Sequence, residues 1–187
     1  MKAIFWLMAS TLAISGAHAG TIDPLSKFLA DTRPVQAQFN QQDNKASSSG
    51  IITLAPGGKL RWEQVKPYKS LLVSNGMVAW QVDYDLQQAT KLGPSMSQGW
   101  ANILSDKKSL ESQYTLQTEG NLVNLIPKNR AQAPKGNIEF DQYGNPARIV
   151  IEATPTIEIT FSHWKRVSVA PNLFSYTPTH GMDIIGQ

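Results

Sequence analysis

The stretch from Gly50 to Thr90 most constrains what this chain can fold into. It breaks into short apolar pieces, each closed by a turn signal: Pro56-Gly57-Gly58, then Lys66-Pro67, Asn75-Gly76 and Asp83-Tyr84-Asp85. Short apolar runs bounded by such residues read as strands. Leu60 and Trp62 share a face opposite Arg61 and Glu63, and Val78, Trp80 and Val82 share a face opposite Gln81 and Asp83, because side chains alternate along a strand. Asn75 and Gly76 both tolerate positive φ, which suits a two-residue type I′ hairpin turn. The expectation is an antiparallel meander with one apolar face and one wet face.

The same forty-odd residues carry a family resemblance. An apolar strand with Pro-Gly is followed by L-R-W-E, a proline, L-L-V-S-N-G, a tryptophan and D-x-D-L-x-Q-A-T. In that order and spacing these elements resemble the LolA family of outer-membrane lipoprotein carriers. The ending from Phe174 to Gly186, F-S-Y-T-P-T-H-G-M-D-I-I-G, is similar to the family's Phe/Pro/Gly-x-Asp close. The resemblance implies an open half-barrel, capped by helices, that shelters acyl chains. It implies a periplasmic carrier of acylated lipoproteins that takes them from an inner-membrane LolCDE ABC transporter and hands them to an outer-membrane LolB-type receptor. Family members often have an arginine before the proline of the first turn, and it is thought to hold the lid shut by bonding to lid carbonyls; here those positions are Ala55 and Pro56.

Residues 1–19 read as a secretory signal. Lys2 supplies a positive start, Ile4 to Ile14 an apolar core, and Ala17-His18-Ala19 a cleavage site before Gly20. The core is too short for a membrane span, which needs about 20 apolar residues. Residues 20–187 are then expected to form a single domain, exported to the periplasm, monomeric and large enough to bury a core. The chain has no cysteine. Packing alone must hold it, and there is no thiol to carry a lipid anchor; within the resemblance this favours the free carrier over the anchored LolB. A net charge of +3 without a basic stripe argues against nucleic-acid binding.

Along the chain, Thr21 to Arg33 reads as a helix, with Asp23 as N-cap, Pro24 at the first position and Leu25, Phe28 and Leu29 on one stripe. Pro34 stops it. A second helix is expected over 95–106, with Met96, Trp100, Ile103 and Leu104 at helical spacing. Strands are expected at Val35–Asp43, Ser112–Gln117, Val123–Pro127, Gly136–Asp141, Arg148–Glu152, Thr156–Val167 and Phe174–Tyr176. The fold class is therefore α+β, mainly β: an open antiparallel half-barrel of about 11 strands closed by a lid of short helices, LolA/LolB-like.

Two short helices cannot tightly fill so large an apolar sheet face, so a cavity is expected between them. The sheet residues expected to line it are Phe39, Leu60, Trp62, Trp80, Val82, Ile157, Ile159 and Phe161. The lid side is expected to carry Phe28, Met96, Trp100, Ile103 and Leu104. Nothing points to catalysis, a metal or a cofactor. His163 and His180 stand in unrelated contexts, Asp83 and Asp85 sit where a turn wants aspartate, and no G-x-S-x-G occurs. The alternatives kept open are a shuttle for another lipid or glycolipid and a lipid-sensing regulatory domain.

Overall fold

The computed structural model describes residues 23–44, 46–93, 103–105 and 107–186. Helix α1 spans Pro24–Ala30, with Asp23 capping it by accepting from the Ser26 N–H at 2.8 Å. Strands β1 (Val35–Gln42), β2 (Ser47–Ala55), β3 (Lys59–Lys66), β4 (Ser70–Asn75), β5 (Ala79–Asp83) and β6 (Gln88–Leu92) follow as a meander. After helix α2 (Lys107–Gln113) come β7 (Tyr114–Glu119), β8 (Leu122–Pro127), β9 (Gly136–Phe140), β10 (Pro146–Ile151) and β11 (Ile157–Arg166), and last β12 (Asp183–Ile185). All twelve strands form one open sheet in the order β12-β6-β5-β4-β3-β2-β1-β11-β10-β9-β8-β7. Neighbours are antiparallel except β12, which lies parallel to β6.

The mainly-β open half-barrel is the architecture expected. Three local expectations differ. Asn75 does not take a left-handed conformation; only Gly76 has positive φ there, at 92°. The Asn75 side chain instead accepts from the N–H groups of Met77 and Val78 at 2.9 and 2.8 Å, so the turn is a longer loop that this side chain organises. Helix α2 covers residues expected to lie between a helix and a strand, and takes Ser112 and Gln113 from the start of that expected strand. The strand expected at Phe174–Tyr176 is irregular, and the last strand forms at Asp183–Ile185 instead. The helix expected over 95–106 lies outside the described residues except for 103–105, which form a tight turn.

Two close approaches fix the meander. A Cβ on Gly76 would lie 2.0 Å from the Gly57 carbonyl oxygen, so the turn after β2 nests against the turn after β4 only because that side chain is missing. A Cβ on Gly50 would lie 1.8 Å from the Glu63 carbonyl oxygen, where the β2–β3 register shifts.

The main core lies on one face of the sheet, called inner here because α1 packs on it. Leu25 and Phe28 of α1 and Leu110 of α2 share one apolar cluster with Ile52, Leu54, Leu60, Trp62, Ile138 and Ile159. The outer face carries Gln36, Gln38, Asn40 and Thr160 across its middle. Across β4, β5 and β6 it turns apolar, where Leu71, Val73, Val82 and Ala89 form a second, smaller cluster.

Candidate functional site

Register decides which expected residues meet. Ile52 pairs with Trp62 and Leu54 with Leu60 across β2–β3, Phe39 with Phe161 across β1–β11, and Ile149 with Ile159 and Ile151 with Ile157 across β10–β11. Directly opposed residues point to the same side. Phe39, Leu60, Trp62, Ile157, Ile159 and Phe161 therefore converge on the inner face, all but the half-buried Ile157 being buried. Gly50 stands opposite Phe39 on the strand between β1 and β3. With no side chain in the way, the Phe39 ring reaches Trp62, 4.1 Å between centroids, and Trp62 meets Phe161 edge-on at 6.2 Å.

Trp80 and Val82 face the other way. Arg61 pairs with Val73 and Val73 with Trp80, so Trp80 shares the side of Arg61, opposite Leu60 and Trp62. Val82 follows through Leu71 and Glu63. Strand β4, with Leu71, Leu72 and Val73 in succession, is apolar on both faces and cannot by itself say which is inside. The outer face is apolar here because the segment after β11 crosses it. Tyr176 packs on Trp80 at 5.9 Å, and Met182 packs on the same cluster. Arg61 donates to the Leu173 carbonyl at 3.1 Å and pairs with Glu63 at 2.6 Å, while its buried Nε has no hydrogen-bond partner among the described residues. Burial, with Tyr84 nearby, raises the Tyr176 phenol above its ordinary range.

On the covering side, Phe28 meets Trp164 at 5.4 Å and Phe140 at 6.5 Å, both edge-on. Ile103 and Leu104 are buried in the same cluster. Met96 and Trp100 lie outside the described residues. Sequence reasoning missed Phe140 and Trp164. The first was legible, since Ile138 and Phe140 alternate on one face. The second was not: β11 bulges opposite β1 between the partners of Gln36 and Gln38, with His163 at φ 57°. The bulge turns Trp164 to the side of Phe161, whose ring lies 5.6 Å away.

These side chains pack into one apolar cluster on the inner face. One recess lies at a rim between α1, the ends of β1 and β2, and Leu104, with Leu29, Val35, Leu54 and Pro56 in its wall; its free volume of about 30 Å³ has room for one or two water molecules.

Polar contacts fasten α1 at both ends. At its C-terminal end Asp31 accepts from the Arg33 side chain at 2.9 and 3.1 Å and pairs with Arg166 at 2.6 Å. The bonds from Arg33 hold the Asp31 carboxyl well below the usual carboxylate range. At the other end the Lys107 ammonium donates to Ser26 Oγ at 2.5 Å, and that hydroxyl donates to Asp23. Lys107 also pairs with Glu111 at 3.4 Å. Among the described residues no cluster of His, Asp or Glu could hold a metal ion, and no helix is long and apolar enough to cross a membrane.

An open antiparallel sheet whose apolar inner face is covered by short helices defines the class of half-barrel folds. Residues 30–177 match the family profile "Outer membrane lipoprotein carrier protein LolA". The chain belongs to the LolA family. It is 33% identical to the outer-membrane lipoprotein carrier protein of Dechloromonas aromatica, over 91% of this chain and 90% of that one. With the carrier protein of Xanthomonas campestris it shares 30% identity over 97% and 95% of the two chains. Among solved structures, an uncharacterized conserved protein from Thermus thermophilus superposes with a TM-score of 0.59 at 14% identity, covering 87% of this chain and 94% of that one, which is a likeness of fold.

Proposed function

We propose that this chain carries acylated lipoproteins through the periplasm to the outer membrane, holding their acyl chains against the inner face of the half-barrel. One observation carries the reading. Among the described residues short helices cover the apolar inner face, fastened through side-chain packing and a few polar contacts, with no disulfide. Each exposed methylene costs about 0.8 kcal/mol in water, so a lipoprotein with several long chains faces roughly tens of kcal/mol in crossing an aqueous space unaided. Acyl chains can take the place of Leu25, Phe28 and Leu104 against Trp62, Phe39 and Phe161. One apolar contact replaces another, so loading is close to balanced and reversible, as handing on a cargo requires.

On this reading residues 1–19 direct export and are removed after Ala19, the rest acts as one monomeric domain, and no bond is made or broken in the cargo. The donor is an inner-membrane LolCDE-type transporter and the acceptor a LolB-type receptor. The test is release from inner-membrane vesicles supplied with ATP. The mature protein is expected to bring triacylated lipoprotein into a soluble one-to-one complex. Lipoprotein left wholly in the membrane pellet would overturn the proposal.

A further inference from the structure

We infer that Lys107 is the positioning residue that keeps the half-barrel closed, by tying α2 to the N-terminal turn of α1. The inference rests on the carrier reading only in taking these helices as the cover that must move. Three observations converge on Lys107. Its ammonium donates to Ser26 Oγ at 2.5 Å, and the Ser26 hydroxyl passes its own proton toward the Asp23 carboxylate. Hydrogen bonds run in series from a cation to an anion polarise one another and are stronger than the same bonds apart. Asp23 is at the same time the N-cap of α1, accepting from the Ser26 N–H, so the chain of bonds ends on the helix itself. Within α2, Glu111 lies one turn on and pairs with the ammonium at 3.4 Å, which aims the lysine toward α1.

The two ends of α1 are held differently. Its C-terminal end is fixed to the sheet by Asp31, gripped between Arg33 and Arg166 of β11. Its N-terminal end is held to α2 by the Lys107 ammonium, which is partly open to solvent. Release at Lys107 therefore lets α1 lift from its N-terminal end and swing about Asp31. That motion withdraws Leu25 and Phe28 from the inner face and uncovers Phe140 and Trp164. A clasp made by one half-exposed cation is weak enough to open for cargo and yields to salt.

The experiment uses Nile red, an uncharged dye that brightens in apolar surroundings, with the mature protein in its native sequence and as Lys107→Met, Ser26→Ala and the double variant. Circular dichroism and thermal melting establish that each is folded. Dye uptake is expected to rise about three- to tenfold in either single variant. The double variant should gain no more than the larger single, because both cut the same chain of bonds. Raising salt should speed uptake by the native protein and leave Lys107→Met unchanged. Lys135→Met, which removes an equal charge just before the start of β9, should match the native protein. Native-like uptake in both single variants, or effects that simply add, would overturn the inference, and so would equal salt responses. If Lys107→Met fails to fold, Ser26→Ala and the salt series decide. The assay contains no lipoprotein, membrane or transporter, so its outcome is separate from that of the release experiment.

Discussion

Gly76 shows how a single position can set the shape of this sheet. Its φ of 92° and the Gly57 oxygen 2.0 Å from where a Cβ would stand make it a glycine on two independent grounds. Gly76→Ala is expected to cost about 2–3 kcal/mol, measured by urea unfolding, as the two turns are forced apart. Asp31 is the matching case in electrostatics. Its carboxyl is held below the ordinary range by the bonds from Arg33, with Arg166 adding to the field. A depressed folded value means the stabilisation is complete above the unfolded pKa, near 4, and is lost as pH falls toward the folded value. Asp31→Asn should therefore melt below the native protein from pH 5 to 8, and the difference should shrink progressively below about pH 4. Thermal melts across that range would show it. A constant gap at every pH would mean that Asp31 works through shape and not charge.

At the scale of elements, the segment after β11 explains why the two faces are both apolar at β4 and β5. It starts beside β1, passes Leu173 over Arg61 and Tyr176 over Trp80, and joins β6 as β12. The two tryptophans on either side of the sheet then have different work. Trp62→Leu, on the inner face, is expected to weaken retention of an acylated cargo on gel filtration. Trp80→Leu, on the outer face, should leave retention unchanged and loosen the crossing segment, seen as faster amide exchange over 173–185. Equal loss of retention in both would mean that the cluster around Trp80 also receives cargo. On α1, Phe28 bridges Phe140 and Trp164, so Phe28→Ala should lower stability by about 3 kcal/mol and raise the resting uptake of an apolar dye.

For the whole molecule the packing of helices on the inner face has a consequence. Leu25 and Phe28 of α1 and Leu110 of α2 already pack into the inner cluster, so cargo is expected to enter by displacing side chains of these helices. Loading is therefore expected to raise deuterium exchange in α1 and α2 while lowering it in β1, β2 and β3, read by mass spectrometry on empty and loaded protein. Protection of all five elements together would indicate a space ready-made for the cargo.

The alternation of apolar residues, the turn residues and the capped helix start were enough to give a mainly-β open sheet with short helices on it, because those signals are local. Alternation also placed Phe39, Leu60, Trp62, Ile159 and Phe161 correctly relative to their own strands. Register is not local. Which face of β5 looks inward follows from pairing passed strand by strand from β3, and the segment that makes the outer face of β4 and β5 apolar lies about a hundred residues further on. The bulge that turns Trp164 inward leaves no mark in the alternation, and the Lys107–Ser26 contact joins residues 81 apart in sequence. The chain's own pattern thus determined the elements and their apolar stripes, since each depends on neighbours within a few residues. Only the assembled sheet decided which stripes face each other, because that depends on hydrogen-bonded partners distant along the chain.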